Sequence, residues 1–542
     1  MRRLHPPGDA TRSPAMVRFF PRFAPLCLVV LLSGRVLGGP ARVSAAEALP
    51  SVETLRTQIK SYVTQPRFSG ALWGVKIVSL ETGQVWFEHH ADRRMTPASN
   101  SKLYVAALAL DRLGGDYRIV TPIVASAPLN AAGELRGDLI ISGRGDSSWK
   151  SRGTKKTFWE IFEPFVAVLQ SAGVKHVTGD VIADATFFRG PPDGSGWMVE
   201  DLMGVDGAEI SAISVENNYA DLRVTPANSA GRPGNLELLQ PMTGLVLDNR
   251  TVTGPAGSTN RILRQRLFGE PVVHLLGELP AGGPPHLIDV TVPRPADWFA
   301  AGLKEALARH GVRVDGRARS LRWPDAPATG PTSQKLGEIS SPPLRELVTA
   351  FMKPSQNLET GLIFDHLGET FRAADAPTLQ TTEESAVALL QDFFRRNGLP
   401  ADDMRFTDGS GLSQYNLTTA RATLELLKFM STHRATKDFA DSLPIAGVDG
   451  TLGQYMKGTP AENNLHAKTG TLRYTNSLSG YVTSAAGEKL AFSVILNRNV
   501  PPAGRNGSVE VDEIGVMLAS FKGHSAAQPA PAKPAEAKSD AR

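Results

Sequence analysis

Ser99 and Lys102 stand three residues apart in the stretch that runs from Pro97 through Ala98, Ser99, Asn100, Ser101 and Lys102 to Leu108. That spacing stacks the two side chains on one face of a first helical turn. A serine hydroxyl is a weak nucleophile near neutral pH and needs a base beside it. A lysine amine becomes that base when burial or neighbouring cations lower its pKa. The unpaired backbone N–H groups of a helix's first turn are suited to hold the oxyanion that such an attack creates. From Leu103 to Leu110 the sequence is apolar nearly all round, which predicts a helix buried on every face. Pro97 and Ser99 are its start signals, and Gly114-Gly115 is its stop. Ser-x-x-Lys is short, and alone it equally describes a capping serine followed by a surface lysine.

Two later stretches add to it. Ser355 and Asn357, in Lys353-Pro-Ser-Gln-Asn357, put a hydroxyl and an amide two residues apart just before a helix. They suit a proton relay and a group that holds Lys102 or a substrate amide; they also suit a plain helix cap. Lys468, Thr469, Gly470 and Thr471 open a strand run that begins at His466. A lysine and a threonine on an edge strand bind a carboxylate, while a peptide adds to the edge through main-chain hydrogen bonds. Gly470 lets that backbone come close.

The elements that must position these groups read as follows. Val52–Val63 is a helix, and Leu72–Leu80 and Val85–Phe87 form a hairpin around Glu81-Thr-Gly-Gln84. From Tyr117 to Pro331 short β-like runs alternate with Gly and Pro, and only 298–310 reads as a helix there. Residues 228–283 are rich in Gly and Pro and read as a subdomain of their own. Helices return at Leu344–Met352, Asn357–Leu367 and Glu383–Arg396, the last capped by Thr382. Leu478–Thr483 and Leu490–Leu496 alternate as strands, and Val511–Phe521 closes as a helix. Strands therefore precede the Ser99 helix and strands close the chain. The two ends are expected to build one sheet, with the middle as an insertion.

Composition excludes some classes. The formal charge of +4 over 542 residues comes from the leader, since residues 1–45 hold seven Arg against one Asp. The remainder has 51 basic and 53 acidic residues and no basic run interleaved with aromatics, so nucleic acid is not an expected partner. Arg18 and Arg22, the apolar run Phe23–Leu32 and Val43-Ser-Ala45 read as a secretory signal, with Met16 as a possible start. No stretch is long enough for a stable membrane anchor. The only cysteine, Cys27, would leave with the signal, so disulfides and thiol catalysis are not expected. His89-His90 lacks the companions of a metal site, and no metal or other cofactor is expected. Residues 525–542 are an Ala/Pro/Lys tail that reads as disordered.

Ser-x-x-Lys, Ser-x-Asn and Lys-Thr-Gly in this order form the signature of penicillin-recognising serine enzymes. With the long gap between the first two motifs, the chain resembles the class C low-molecular-mass penicillin-binding proteins, the D-Ala-D-Ala carboxypeptidase/endopeptidase family. The resemblance runs from about residue 65 to 520. It is carried also by Thr407-Asp-Gly-Ser-Gly-Leu-Ser413 with Asn416, and by Leu443-Pro-Ile-Ala-Gly-Val-Asp-Gly-Thr451. It implies an α+β fold: a penicillin-binding-protein/serine β-lactamase-like domain, with an antiparallel sheet flanked by helices, carrying inserted mostly-β domains. The implied division is a signal peptide at 1–45, a catalytic domain at 46–118 plus 332–524, an inserted domain at 119–331 with a nested subdomain around 228–283, and the tail.

It implies the following roles. Ser99 attacks the carbonyl between two D-alanines, Lys102 takes its proton, Ser355 passes a proton to the leaving D-alanine, and Asn357 orients Lys102 and the substrate. Lys468 and Thr469 hold the terminal carboxylate, and the N–H groups of Ser99 and Thr471 form the oxyanion hole. The implied partners are peptidoglycan stem peptides, with β-lactams as inhibitors, and the implied location is outside the cytoplasm, in a periplasm. Two positions depart from the family pattern: Gln356 stands where Asp is usual, and Gln414 where Arg is usual. Arg473 is placed to compensate for the second, and Asp184 matches an inserted-domain loop that reaches the stem peptide's free amine. Two other readings stay open at this point, a serine β-lactamase and a non-catalytic wall-binding scaffold.

Overall fold

The two ends of the chain share one sheet. In the computed structural model, which describes residues 50–525, its strand order is His466–Leu472, Thr475–Thr483, Lys489–Asn497, Leu72–Ser79, Val85–His89, antiparallel throughout. The signal, Cys27 and nearly all of the tail lie outside the described residues. Leu72 pairs with Asn497 and Ser79 with Leu490, so both central strands are hydrogen-bonded on each side. Successive residues face opposite sides, and both sides are apolar. Ile77 and Phe492 join the core under the helices Val52–Val63 and Ser508–Ser520, while Val78 and Ala491 join the larger core on the other side.

That larger core surrounds Ser101–Leu113. Leu103 to Leu110 are all fully buried, as an all-apolar helix requires. Leu344–Met352, Asn357–Thr370, Thr382–Arg396 and Ala420–Thr432 pack around it. The cap of the third of these is Thr381, not Thr382: its hydroxyl accepts from the Glu384 N–H while Glu384 returns a bond to the Thr381 N–H. Thr382 instead receives the Arg189 N–H and is buried.

The middle of the chain builds a second five-stranded sheet in the order Ala318–Leu321, Val181–Asp184, Leu139–Ser142, Val120–Ala125, Gln334–Ser340. Its last strand lies beyond residue 331, so a division drawn there would cut 334–340 from its partner at 120–125. Two helices, Glu163–Ser171 and Pro295–Arg309, cover this sheet. The first was not legible as a helix, because its aromatic run around Phe158–Phe165 has the texture of a buried strand. Phe162, Phe165, Trp149 and Phe299 pack as tilted and edge-on pairs at its centre. Two further three-stranded sheets, spanning 219–291, close on a small core of Leu222, Val224, Val273, Leu275 and Val290.

Candidate active site

Ser99 occupies a tight turn, Ala98–Asn100, that runs straight into the Ser101–Leu113 helix. No side chain caps that helix, so the Ser99 hydroxyl is not spent on its backbone. Ala98 is held at φ +49°, a conformation that costs an alanine about 1–2 kcal/mol and that the surroundings must impose. The loop at Gly411 and the strand at Gly470 do so from two sides. A Cβ on Gly470 would lie 2.7 Å from the Pro97 carbonyl oxygen and 3.0 Å from the Ser99 nitrogen. A Cβ on Gly411 would overlap the Ala98 carbonyl. The Ser477 hydroxyl donates to the Pro97 carbonyl at 2.7 Å and fixes the turn to the sheet.

Lys102 is fully buried. Its Nζ donates to Ser99 Oγ at 2.9 Å, to Asn357 Oδ1 at 2.6 Å and to the Ser410 carbonyl at 2.7 Å. Burial pulls its pKa from 10.5 to about 7, against the opposing pull of Asp408 and Asp206. Asp408 shapes the loop beneath it. Its carboxylate accepts from Ser410 Oγ, the Gly411 N–H, Asn416 Nδ2 and Trp197 Nε1 at 2.6–3.0 Å. This turns the Ser410 carbonyl toward Lys102.

Ser355 sits at φ +67°, just ahead of the Asn357 helix. Its Oγ accepts from Lys468 Nζ at 2.8 Å, and Lys468 also donates to the Thr469 carbonyl at 2.8 Å. Lys468 is fully buried, and burial together with Lys102 holds its pKa well below 10.5. The Thr469 and Thr451 hydroxyls share a hydrogen bond of 2.7 Å. Asn357 Nδ2 donates to the Asp206 carbonyl at 3.1 Å, which ties the Asn357–Thr370 helix to the inserted region.

A cleft of about 750 Å³ opens over this cluster. Ser99, Ser355, Asn357, Thr469, Thr471, Gln414 and Arg473 line it, while Lys102, Lys468 and Gly470 stand behind that lining. Asp184 is not part of it. It ends a strand of the middle sheet, 4% exposed, its carboxylate taken up by the Thr186 N–H and hydroxyl and the Ala328 N–H. The acidic residues that do line the cleft are Glu200, Asp201 and Asp206, with Glu200 3.8 Å from the Arg473 guanidinium. No local pattern signals this, since the segment that carries them is irregular and reaches the cleft only through the fold.

A serine hydroxyl hydrogen-bonded to a buried amine, a second buried lysine on an edge strand, and a sheet flanked by helices define the penicillin-binding-protein/serine β-lactamase class of fold. Comparison with known proteins agrees. The chain is 32% identical over 516 residues to the D-alanyl-D-alanine carboxypeptidase of Actinomadura sp. (strain R39), covering 93% of this chain and 91% of that one. It is 25% identical over 469 residues to the D-alanyl-D-alanine carboxypeptidase DacB of Haemophilus influenzae, covering 85% and 91%. The crystal structure of penicillin binding protein 4 (dacB) from Haemophilus influenzae superposes with a TM-score of 0.72 at 22% identity, over 87% of this chain and 98% of that one. The chain belongs to the D-Ala-D-Ala carboxypeptidase 3 (S13) family, whose pattern matches residues 55–516.

Proposed function

We propose that this chain is an exported serine D-alanyl-D-alanine carboxypeptidase and D,D-endopeptidase that trims peptidoglycan stem peptides and is inhibited by β-lactams. The observation that carries the reading is the 2.9 Å contact between Ser99 Oγ and a fully buried Lys102 amine. With a pKa of about 7, that amine is largely neutral at mildly alkaline pH and accepts the hydroxyl proton as Oγ attacks the carbonyl between the two D-alanines. The Ser99 and Thr471 N–H groups hold the oxyanion. Ser355 passes a proton to the amine of the departing D-alanine. Lys468 and Thr469 hold its carboxylate, which supplies the counter-charge that a buried ammonium lacks. Water then hydrolyses the ester on Ser99. A β-lactam follows the same path to the acyl-enzyme and stays there. Glu200, Asp201 and Asp206 give the cleft an acidic wall, which suits a stem peptide whose side chain carries a free ammonium.

The test is intact-mass measurement of the protein after brief exposure to penicillin, beside a Ser99→Ala variant, followed by D-alanine release from stem peptides. The expected result is a persistent adduct on the wild type alone, with D-alanine released. No adduct and intact drug would favour a scaffold. No adduct and consumed drug would favour a β-lactamase.

A further inference from the structure

The segment 198–209 is a wall with two faces. Met198, Glu200, Asp201 and Asp206 line the cleft over Ser99. The residues between them, Val199, Leu202, Met203 and Gly207, line a separate cavity of about 340 Å³ behind it. That volume lies at the small end of the roughly 300–1,000 Å³ typical of ligand pockets. The wall is two short turns, Asp201–Met203 and Val205–Gly207, pinned by the Val205 N–H on Asp289 at 2.7 Å.

The rear cavity holds charges of both signs that act on one another through space without closing into direct pairs. Asp193, Glu209, Arg266 and Arg322 all line it, and among the described residues none of the four forms an ion pair with another. Arg266 spends its terminal nitrogens on the Leu202 carbonyl, the Glu270 carbonyl and the Thr291 hydroxyl, but its buried Nε has no partner. The Arg322 guanidinium and the Asp193 carboxylate have no hydrogen bond to any described residue. Glu209 accepts one, from the Arg294 N–H at 2.9 Å. Burial raises the carboxyl pKa of both Asp193 and Glu209 and lowers that of Arg266, so these groups lack the solvation that ordinary surface charges enjoy. Val199, Leu202, Met203 and the 75%-exposed Phe268 supply an apolar side.

We infer that this cavity is a second binding site, for a small zwitterion with an apolar side chain: a free amino acid. Its carboxylate meets Arg266 and Arg322, its ammonium meets Asp193 and Glu209, and its side chain lies on Met203 and Leu202. Because the same wall bounds the active cleft and its Asp206 carbonyl receives Asn357, occupancy braces one side of the catalytic cluster. The binding claim stands apart from the peptidase reading, since it needs no turnover.

The experiment is calorimetric titration of the full chain with racemic methionine, with methioninamide and N-acetylmethionine as analogues that each lack one charge. Saturable one-to-one binding of methionine is expected, weaker by about tenfold or more for either analogue and for Arg322→Gln, since each change removes a charge-assisted hydrogen bond. Met203→Trp, which fills the cavity, should abolish it. Glu200→Gln and Arg473→Ala, which touch only the cleft, should leave it unchanged. Absence of saturable binding at millimolar methionine overturns the proposal. So does binding that survives Arg322→Gln but fails with Glu200→Gln or Arg473→Ala, which would put the ligand in the active cleft. The Arg322 variant keeps the test decisive if the Met203 variant does not fold.

Discussion

If Lys102 is the base, acylation of Ser99 must follow the titration of that one amine. Holding it near 7 rather than 10.5 corresponds to about 5 kcal/mol of preference for the neutral form. At pH 8 an ordinary lysine is roughly 0.3% neutral and this one roughly 90%, a gain of about 300-fold in available base. The second-order rate of acylation by a fluorescent penicillin is the assay. It should rise about tenfold per pH unit up to roughly pH 6 and level off above roughly pH 7.5. Lys102→Arg keeps a cation and hydrogen-bond donors at the site, yet a guanidinium does not release its proton in this range. Its acylation should fall by about 10²–10⁴ with no pH-dependent recovery. An inflection near 10 in the wild type, or an arginine variant with more than about a tenth of wild-type rate, would refute the assignment.

Other expectations concern the frame around that pair. Gly470→Ala brings a methyl against the Ser99 turn at 2.7–3.0 Å and should cost about 1–3 kcal/mol of stability along with most acylation, read by melting and by penicillin labelling. Gly411→Ala should be worse on both counts, because it adds backbone strain at φ +83° to an overlap with the Ala98 carbonyl. Ser355→Ala leaves Lys468 its Thr469 carbonyl and should fold normally, while D-alanine release falls by about 10²–10⁴. Burial raises the Glu383 carboxyl from 4.5 to about 8, so its contribution to stability is complete below the unfolded value and is lost as pH rises through about 8. Glu383→Gln should therefore melt like the wild type near pH 4.5 and above it near pH 8.5; a constant difference across that range would refute the shift.

The chemistry was easiest to read where it is local. Ser99 and Lys102 are neighbours by helix geometry, so their contact follows from an i, i+3 spacing. Asn357 reaches Lys102 across 255 positions and Ser355 reaches Lys468 across 113, and only the motif order hinted at that. The end strands read well because both faces of their sheet are buried and their runs are unmistakably apolar. Asp184 illustrates the opposite case. Its match to an inserted-domain loop of the resembled family implied a residue reaching the stem peptide, but Asp184 ends the central strand Val181–Asp184 and its carboxylate is absorbed by the next turn. The acidic wall at 200–206 has neither helical nor strand period. Its position depends on Asp289 and Asn357, both distant in sequence, and no local pattern encodes that.

The shared sheet also sets a schedule. Leu72–Ser79 is synthesised long before one of its two neighbours, Lys489–Asn497, which follows some four hundred residues later. The edge strand that carries Lys468 joins the sheet through that late neighbour's own partner, Thr475–Thr483. Ser99 and Lys102 are therefore synthesised well before Lys468 and the edge strand that completes the cluster around them. Chains stalled before residue 466 should take up no fluorescent penicillin, while the middle sheet, complete by residue 340, is already free to form. On the peptidase reading proposed above, the site is complete only once Lys468 and its strand have joined the sheet.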